Sequence, residues 1–140
     1  MIIRYTQNAQ AILRDAKKYA IELRTSYIGT EHLLLAILAT DCVGCKILNE
    51  NNVFYNDVLN LVMNLSSNDS KENYADDVYL SPKLKRVIES ANKTNDKFIG
   101  SKHLLYSILE HNDSFAGKIL ITMGKNLQDL MTKLMIAPTN

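Results

Sequence analysis

Cysteine is scarce in this chain of 140 residues, with only Cys42 and Cys45 present. Two are too few for a disulfide scaffold and fit a reducing compartment. No charge of one sign dominates. Lys and Arg number 16 against 15 Asp and Glu, a net charge of +1, which gives no electrostatic case for nucleic acid or an anionic membrane. No run approaches the ~18 apolar residues of a membrane span. The opening Met1-Ile2-Ile3-Arg4-Tyr5 lacks the apolar region of a signal peptide. The compartment stays open between a bacterial cytoplasm-like setting and an organelle lumen. The apolar content, at 46%, is ample for a core without disulfides or metal. A chain of this length fits one domain that buries roughly two-thirds of its unfolded surface.

One stretch comes back. Ile28-Gly29-Thr30-Glu31-His32-Leu33-Leu34-Leu35-Ala36-Ile37-Leu38 is echoed by Ile99-Gly100-Ser101-Lys102-His103-Leu104-Leu105-Tyr106-Ser107-Ile108-Leu109. Thr30 and Ser101 exchange one hydroxyl helix cap for another. Two copies, rather than an array, imply a pseudo-symmetric pair packed face to face.

Helical spacing runs through both halves. Ala9, Ile12, Leu13, Ala16, Tyr19, Ala20 and Leu23 form one apolar stripe behind a Thr6 cap, predicting a helix from about 7 to 23. Leu33 to Leu38 is apolar all round, as a central buried helix requires. A third helix is expected from about Cys42 to Leu48, stopped by a left-handed turn at Asn51-Asn52. Val58, Leu61, Val62 and Leu65 set the stripe of a fourth. The second half replays this order. Ser81 caps and Pro82 opens helix 5, with Leu84, Val87, Ile88 and Ala91 inward. Ser101 caps helix 6, Phe115 to Met123 makes helix 7 with Gly124 just beyond its end, and Asn126 caps helix 8. No strand is expected. The fold class is all-α, two four-helix repeats (about 5–65 and 80–136) joined by a polar linker (about 66–79) into one eight-helix domain over 1–140.

Several motifs invite chemistry and fall short of it. Cys42-Val43-Gly44-Cys45 has CxxC spacing, but no second CxxC or His pair completes a zinc site, and no βαβ setting supports redox work. Glu31-His32 lacks the second histidine of HExxH, and His32 and His103 read as packed histidines bonded to backbone or a neighbouring helix. Gly117-Lys118 and Gly124-Lys125 lack the earlier Gly and following Ser or Thr of a P-loop. No catalytic residue and no metal ligand is expected.

The opening Thr6-xxx-Gln10, the run from Ile28 to Leu35 and the closing Gly117-Lys118-Ile119-Leu120, in this two-copy layout, resemble the N-terminal domain of Clp AAA+ unfoldases of the ClpC/ClpB type. The resemblance covers nearly the whole chain. It implies a non-catalytic module at the mouth of a hexameric ring, which recognises substrate polypeptide or adaptor proteins and delivers them to the pore. ATP and magnesium would then belong only to ATPase modules outside these residues. The implied partners are unfolded or tagged substrates, adaptors and the domain's own ring; nucleic acid and membrane are not among them, and the isolated domain would be a monomer. A free-standing regulatory adaptor, or a gating domain without direct substrate binding, is the alternative.

Two features depart from that family's pattern. From cap to Ile-Gly, the second half is four residues shorter (Ser81 to Ile99 against Thr6 to Ile28), about one helical turn. And Lys102 stands where the first half has Glu31. In some relatives a pair of glutamates there reads phosphoarginine, so Lys102 would repel a guanidinium at the second site. The expected binding surface is the groove between repeats, rimmed by the starts of helices 1, 2, 5 and 6. Tyr5, Thr6, Glu31, Leu80, Ser81, Lys83 and Lys102 are the candidate binding residues, with Glu31 as an exposed acceptor and Lys83, Lys85 and Arg86 as a basic cluster for an acidic partner.

Overall fold

The computed structural model describes residues 4–65 and 79–140. The expected linker therefore lies almost wholly outside the described residues. Eight helices follow in order among those described: α1 (Gln7–Glu22), α2 (Thr30–Leu38), α3 (Val43–Glu50), α4 (Tyr55–Leu65), α5 (Pro82–Asn92), α6 (Ser101–Glu110), α7 (Phe115–Thr122) and α8 (Leu127–Met135). Their inward stripes form one core. Ala9, Ile12, Ala16 and Ala20 of α1 are buried, as are Leu84, Val87 and Ala91 of α5, and Leu130 and Leu134 of α8. Leu65 departs from the expected stripe: α4 buries Val58 and Val62, while Leu65 in its last turn is 53% exposed.

All nine residues of α2 are buried, and it packs against α1, α3, α4, α5, α6 and α7. Leu33 to Leu38 is apolar on every face, as that position requires, while Thr30, Glu31 and His32 at the helix start are buried with hydrogen-bond partners. Asn52 has φ 65° and ends α3, and Gly124 has φ +80° just past α7, the two left-handed stops that the sequence implied.

Two further expectations are corrected. Short strands do exist: β1 (Tyr27–Ile28) pairs in parallel with β2 (Tyr79–Leu80), and Tyr5 bridges Ile99 in the same sense. The residue leading into each repeat's first helix thus pairs with the segment before the other repeat's second helix. Thr6 N–H donates to Ile99 O and Ser81 N–H to Ile28 O, each at 2.9 Å.

Thr30 and Ser101 do not cap their own helices. Gly29 and Gly100 are the caps, and His32 and His103, three residues on, accept their N–H groups on Nδ1 at 2.8 and 3.0 Å. The freed hydroxyls reach across the repeat boundary. Thr30 Oγ1 accepts from Ala116 N–H in the first turn of α7, and Ser101 Oγ from Gly44 N–H in the first turn of α3, each at 3.0 Å. First-turn amides lack helical partners, so each repeat caps a helix of the other.

The missing turn of α5 is compensated from the other repeat. Arg4 donates to Asp96 O at 2.7 Å and Asn92 O at 2.9 Å, and Tyr5 Oη to Asn92 Oδ1 at 2.7 Å. Carbonyls at a helix end favour such a cation. The second repeat also holds a cavity of about 440 Å3, lined by Ser90, Thr94, Lys102, Tyr106 and Met135 among others.

Candidate functional site

The pseudo-twofold gathers helix starts into two half-sites, each taking two starts from one repeat and one from the other. In the first, β1 runs beside β2 into the start of α2, opposite the start of α5, with the start of α7 bonded to Thr30 beside them. In the second, the Tyr5–Ile99 bridge sets the start of α1 beside α6, with α3 next to them. Helix starts offer unpaired N–H groups and the positive end of the helix dipole, which favour carbonyl and carboxylate oxygens.

Both half-sites turn on a glycine. Gly29 (φ −109°) and Gly100 (φ −114°) are extended, a conformation open to any residue. Close approach is the reason for glycine. A methyl on Gly29 would overlap the Glu31 carboxylate and press on the Tyr27 ring; a methyl on Gly100 would overlap the carbonyl of Thr139. One oxygen therefore lies over each cap.

In the first half-site that oxygen is internal. Glu31 is 1% exposed, not the exposed acceptor expected from its place in a first helical turn. Its carboxylate folds back to its own N–H and accepts from the Tyr27 hydroxyl at 3.1 Å. Burial raises its pKa above the ordinary carboxylate value, and those two hydrogen bonds offset part of the rise. His32, also buried, has its pKa pushed down to about 4 by desolvation. Because Nδ1 accepts from Gly29, the neutral ring carries its hydrogen on Nε2, facing Thr25 Oγ1 at 3.4 Å with Glu31 Oε2 at 4.0 Å.

In the second half-site the oxygen comes from far along the chain. After α8, residues 137–140 cross the groove. Lys102 Nζ donates to Ala137 O at 2.8 Å and its backbone N–H points to Thr139 O at 3.4 Å. Val43 N–H, first in α3, donates to Asn140 O at 2.7 Å, and Thr6 Oγ1 to Asn140 Oδ1 at 2.9 Å. His103 Nε2 donates to Asp96 Oδ2 at 2.6 Å, which holds that carboxyl below its usual range.

The sequence-derived candidates divide between these places. Glu31, Leu80, Ser81 and Lys83 belong to the first half-site; Tyr5, Thr6 and Lys102 belong to the second. Ser81 Oγ and Thr6 Oγ1 cap their own helices through Leu84 and Ala9 N–H, both at 3.1 Å. Lys83 is committed to Asp113 at 2.8 Å, and that contact lowers the Asp113 pKa. Tyr5 is half-buried and Leu80 is 38% exposed, with Tyr79 at 73% and Phe98 at 51% exposed on the segments that lead into α5 and α6. Tyr27, the two glycines, Val43 N–H and residues 137–140 were missed. The repeat alignment held the signal for the glycines; nothing local marked the others. Cys42 caps α3, its sulfur accepting Cys45 N–H at 3.4 Å, and the Cys45 thiol donates to Leu38 O at 3.3 Å.

Residues 4–123 match the model of the Clp repeat (R) N-terminal domain. The chain belongs to that family. It is 30% identical over 129 residues to the ATP-dependent Clp protease ATP-binding subunit ClpC of Staphylococcus aureus, an alignment covering 89% of this chain and 16% of that relative. The chain thus spans about a sixth of the length of the curated relatives it matches. Among solved structures, the Hsp104 N-terminal domain from Candida albicans superimposes with a TM-score of 0.78 at 20% identity, covering 94% of this chain and 89% of that one. The ClpV N-domain in complex with a VipB peptide superimposes with a TM-score of 0.72 at 16% identity, covering 95% and 86%. Clp N-domains are modules of ATPase chaperones, and the all-α eight-helix arrangement is theirs.

Proposed function

We propose that this Clp N-domain is a non-catalytic protein-recognition module, which takes substrate polypeptide or adaptor proteins at the inter-repeat groove and delivers them to an AAA+ ring. The observation that carries this reading is the groove's reception of residues 137–140 through their backbone carbonyls, held by the starts of α3 and α6 and by Lys102. Exposed Tyr79, Leu80 and Phe98, on the segments that lead into α5 and α6, add apolar contact for unfolded chains. The peptide-bound ClpV N-domain, a protein of the same fold, supports the same use. ATP and magnesium belong to other modules of a longer protein in this reading, and the domain by itself is monomeric.

Arginine-directed recognition has weaker support. It needs a carboxylate facing solvent, whereas Glu31 is sealed beneath Tyr27 and Lys102 presents a cation. Fluorescence anisotropy with a labelled, reduced and carboxymethylated polypeptide tests the main reading. Replacing Tyr79 and Leu80 by serine, both at the surface, is expected to weaken binding at least fivefold. Equal affinity for the variant and the unaltered protein would remove the groove from the account.

A further inference from the structure

We infer that residues 137–140 act as an autoinhibitory strap, a pseudo-ligand that holds the second half-site closed until polypeptide displaces it. The inference rests on the proposal above and assigns its regulation.

The contacts are those of a ligand rather than of a packed element. Ala137 alone packs against the edge of the core; Pro138, Thr139 and Asn140 add nothing to it, and Pro138 and Asn140 are exposed. It is held instead by donors from three helix starts: Thr6 Oγ1 before α1, Val43 N–H in α3 and Lys102 N–H in α6. Those donors belong to both repeats and converge on main-chain carbonyls, which any extended polypeptide carries, and on the Asn140 carboxamide. Gly100 leaves the space that the Thr139 carbonyl fills.

The half-sites also differ in how they could open. In the first, the oxygen over the glycine is a side chain of the helix itself and is enclosed by Tyr27. In the second, Lys102 replaces that acid, so no side-chain oxygen of α6 can take the seat and a separate segment occupies it. Lys102 then holds the segment through the Ala137 carbonyl at 2.8 Å, and reaches the end of α8 through the Met135 carbonyl at 3.5 Å. Self-occupancy of this kind weakens an incoming ligand in proportion to the fraction of molecules that are closed.

The test uses the full chain labelled with 15N, with Pro138, Thr139 and Asn140 all changed to glycine, substitutions that touch no core residue. In the unaltered protein, the Val43 amide is expected to be protected from hydrogen exchange and the Thr139 and Asn140 amides to lie away from random-coil shifts. In the triple-glycine variant, Val43 should exchange at least tenfold faster, and the labelled polypeptide should bind at least fivefold tighter. Gly100→Ala should release the strap without that gain, because its methyl takes the carbonyl's place.

Free exchange of Val43 in the unaltered protein would overturn the strap and leave the polypeptide reading standing. Protection of Val43 with no polypeptide bound by either protein would defeat that reading, and the regulatory role with it. A released strap with unchanged affinity, or an equal gain in Gly100→Ala, would overturn the inference alone.

Discussion

The two half-sites start from nearly the same words, Ile-Gly-Thr-Glu-His and Ile-Gly-Ser-Lys-His, yet one is closed from within and the other from outside. Both keep the glycine, the histidine that accepts its N–H, and the hydroxyl that caps a helix of the opposite repeat. They diverge at Glu31 and Lys102. A carboxylate can fold onto its own helix start; an ammonium group is repelled from that positive end and turns to carbonyls instead. The repeated residues thus hold the scaffold, and the residue that differs decides what fills the site.

The largest test of this comparison is to remove each histidine in turn. His32 is fully enclosed, so His32→Ala leaves the Gly29 N–H unsatisfied and opens a cavity, for a loss of about 3 kcal/mol. His103 lies at the edge of its repeat, where water can replace the ring, and His103→Ala should cost about 1 kcal/mol. Urea denaturation measures both, and equal losses would mean that the two caps are equivalent.

Acid should sharpen the contrast. The unfolded chain protonates His32 near pH 6.5, whereas the folded chain resists until about 4. This contribution is complete above pH 6.5 and falls away toward pH 4, by roughly 3 kcal/mol. Glu31 acts in the opposite sense: with its folded pKa raised, it favours the fold at low pH, and that contribution is lost as pH rises through the folded value. His32→Asn, whose carboxamide oxygen can still accept from Gly29, should flatten the loss between pH 6.5 and 4. An unchanged profile would show that His32 is not its source.

The crossed caps predict an effect at a distance. Thr30→Val should cost about 1–2 kcal/mol, and faster amide exchange should appear at Ala116 in the other repeat. Ser101→Ala should do the same at Gly44. Exchange changes confined to the mutated repeat would contradict the crossing. Smallest of all, Tyr27→Phe removes one donor from Glu31 and should lower stability by about 0.5–1 kcal/mol. The loss should appear only at pH values where that carboxyl is ionised in the parent protein, as urea titrations across pH would read.

Much of this fold was legible in the chain. Periodicity and caps located the eight described helices, with the ends of α1, α3 and α7 within two residues of the pattern, because a stripe such as Ala9-Ile12-Ala16-Ala20 has no other use than burial. The left-handed stops at Asn52 and Gly124 were legible for the same local reason. The site was harder to read. Thr30 and Ser101 look like local caps because threonine and serine usually are, and no sequence neighbour reveals that their partners lie more than fifty residues away. Glu31 carries the charge of an exposed residue, but the all-apolar helix behind it and Tyr27 in front bury it. The two-residue strands are too short to produce an alternating pattern, and their pairing joins segments from opposite halves.

An amide NMR titration of the full chain with an unfolded, carboxymethylated polypeptide reads, residue by residue, whether the inter-repeat groove receives a chain. Shifts are expected to cluster at Thr6, Val43, Gly100, Thr139 and Asn140, with a second group at Tyr79, Leu80 and Ser81. Shifts confined to the outer faces of α4 and α8, or none at saturating polypeptide, would contradict reception at the groove.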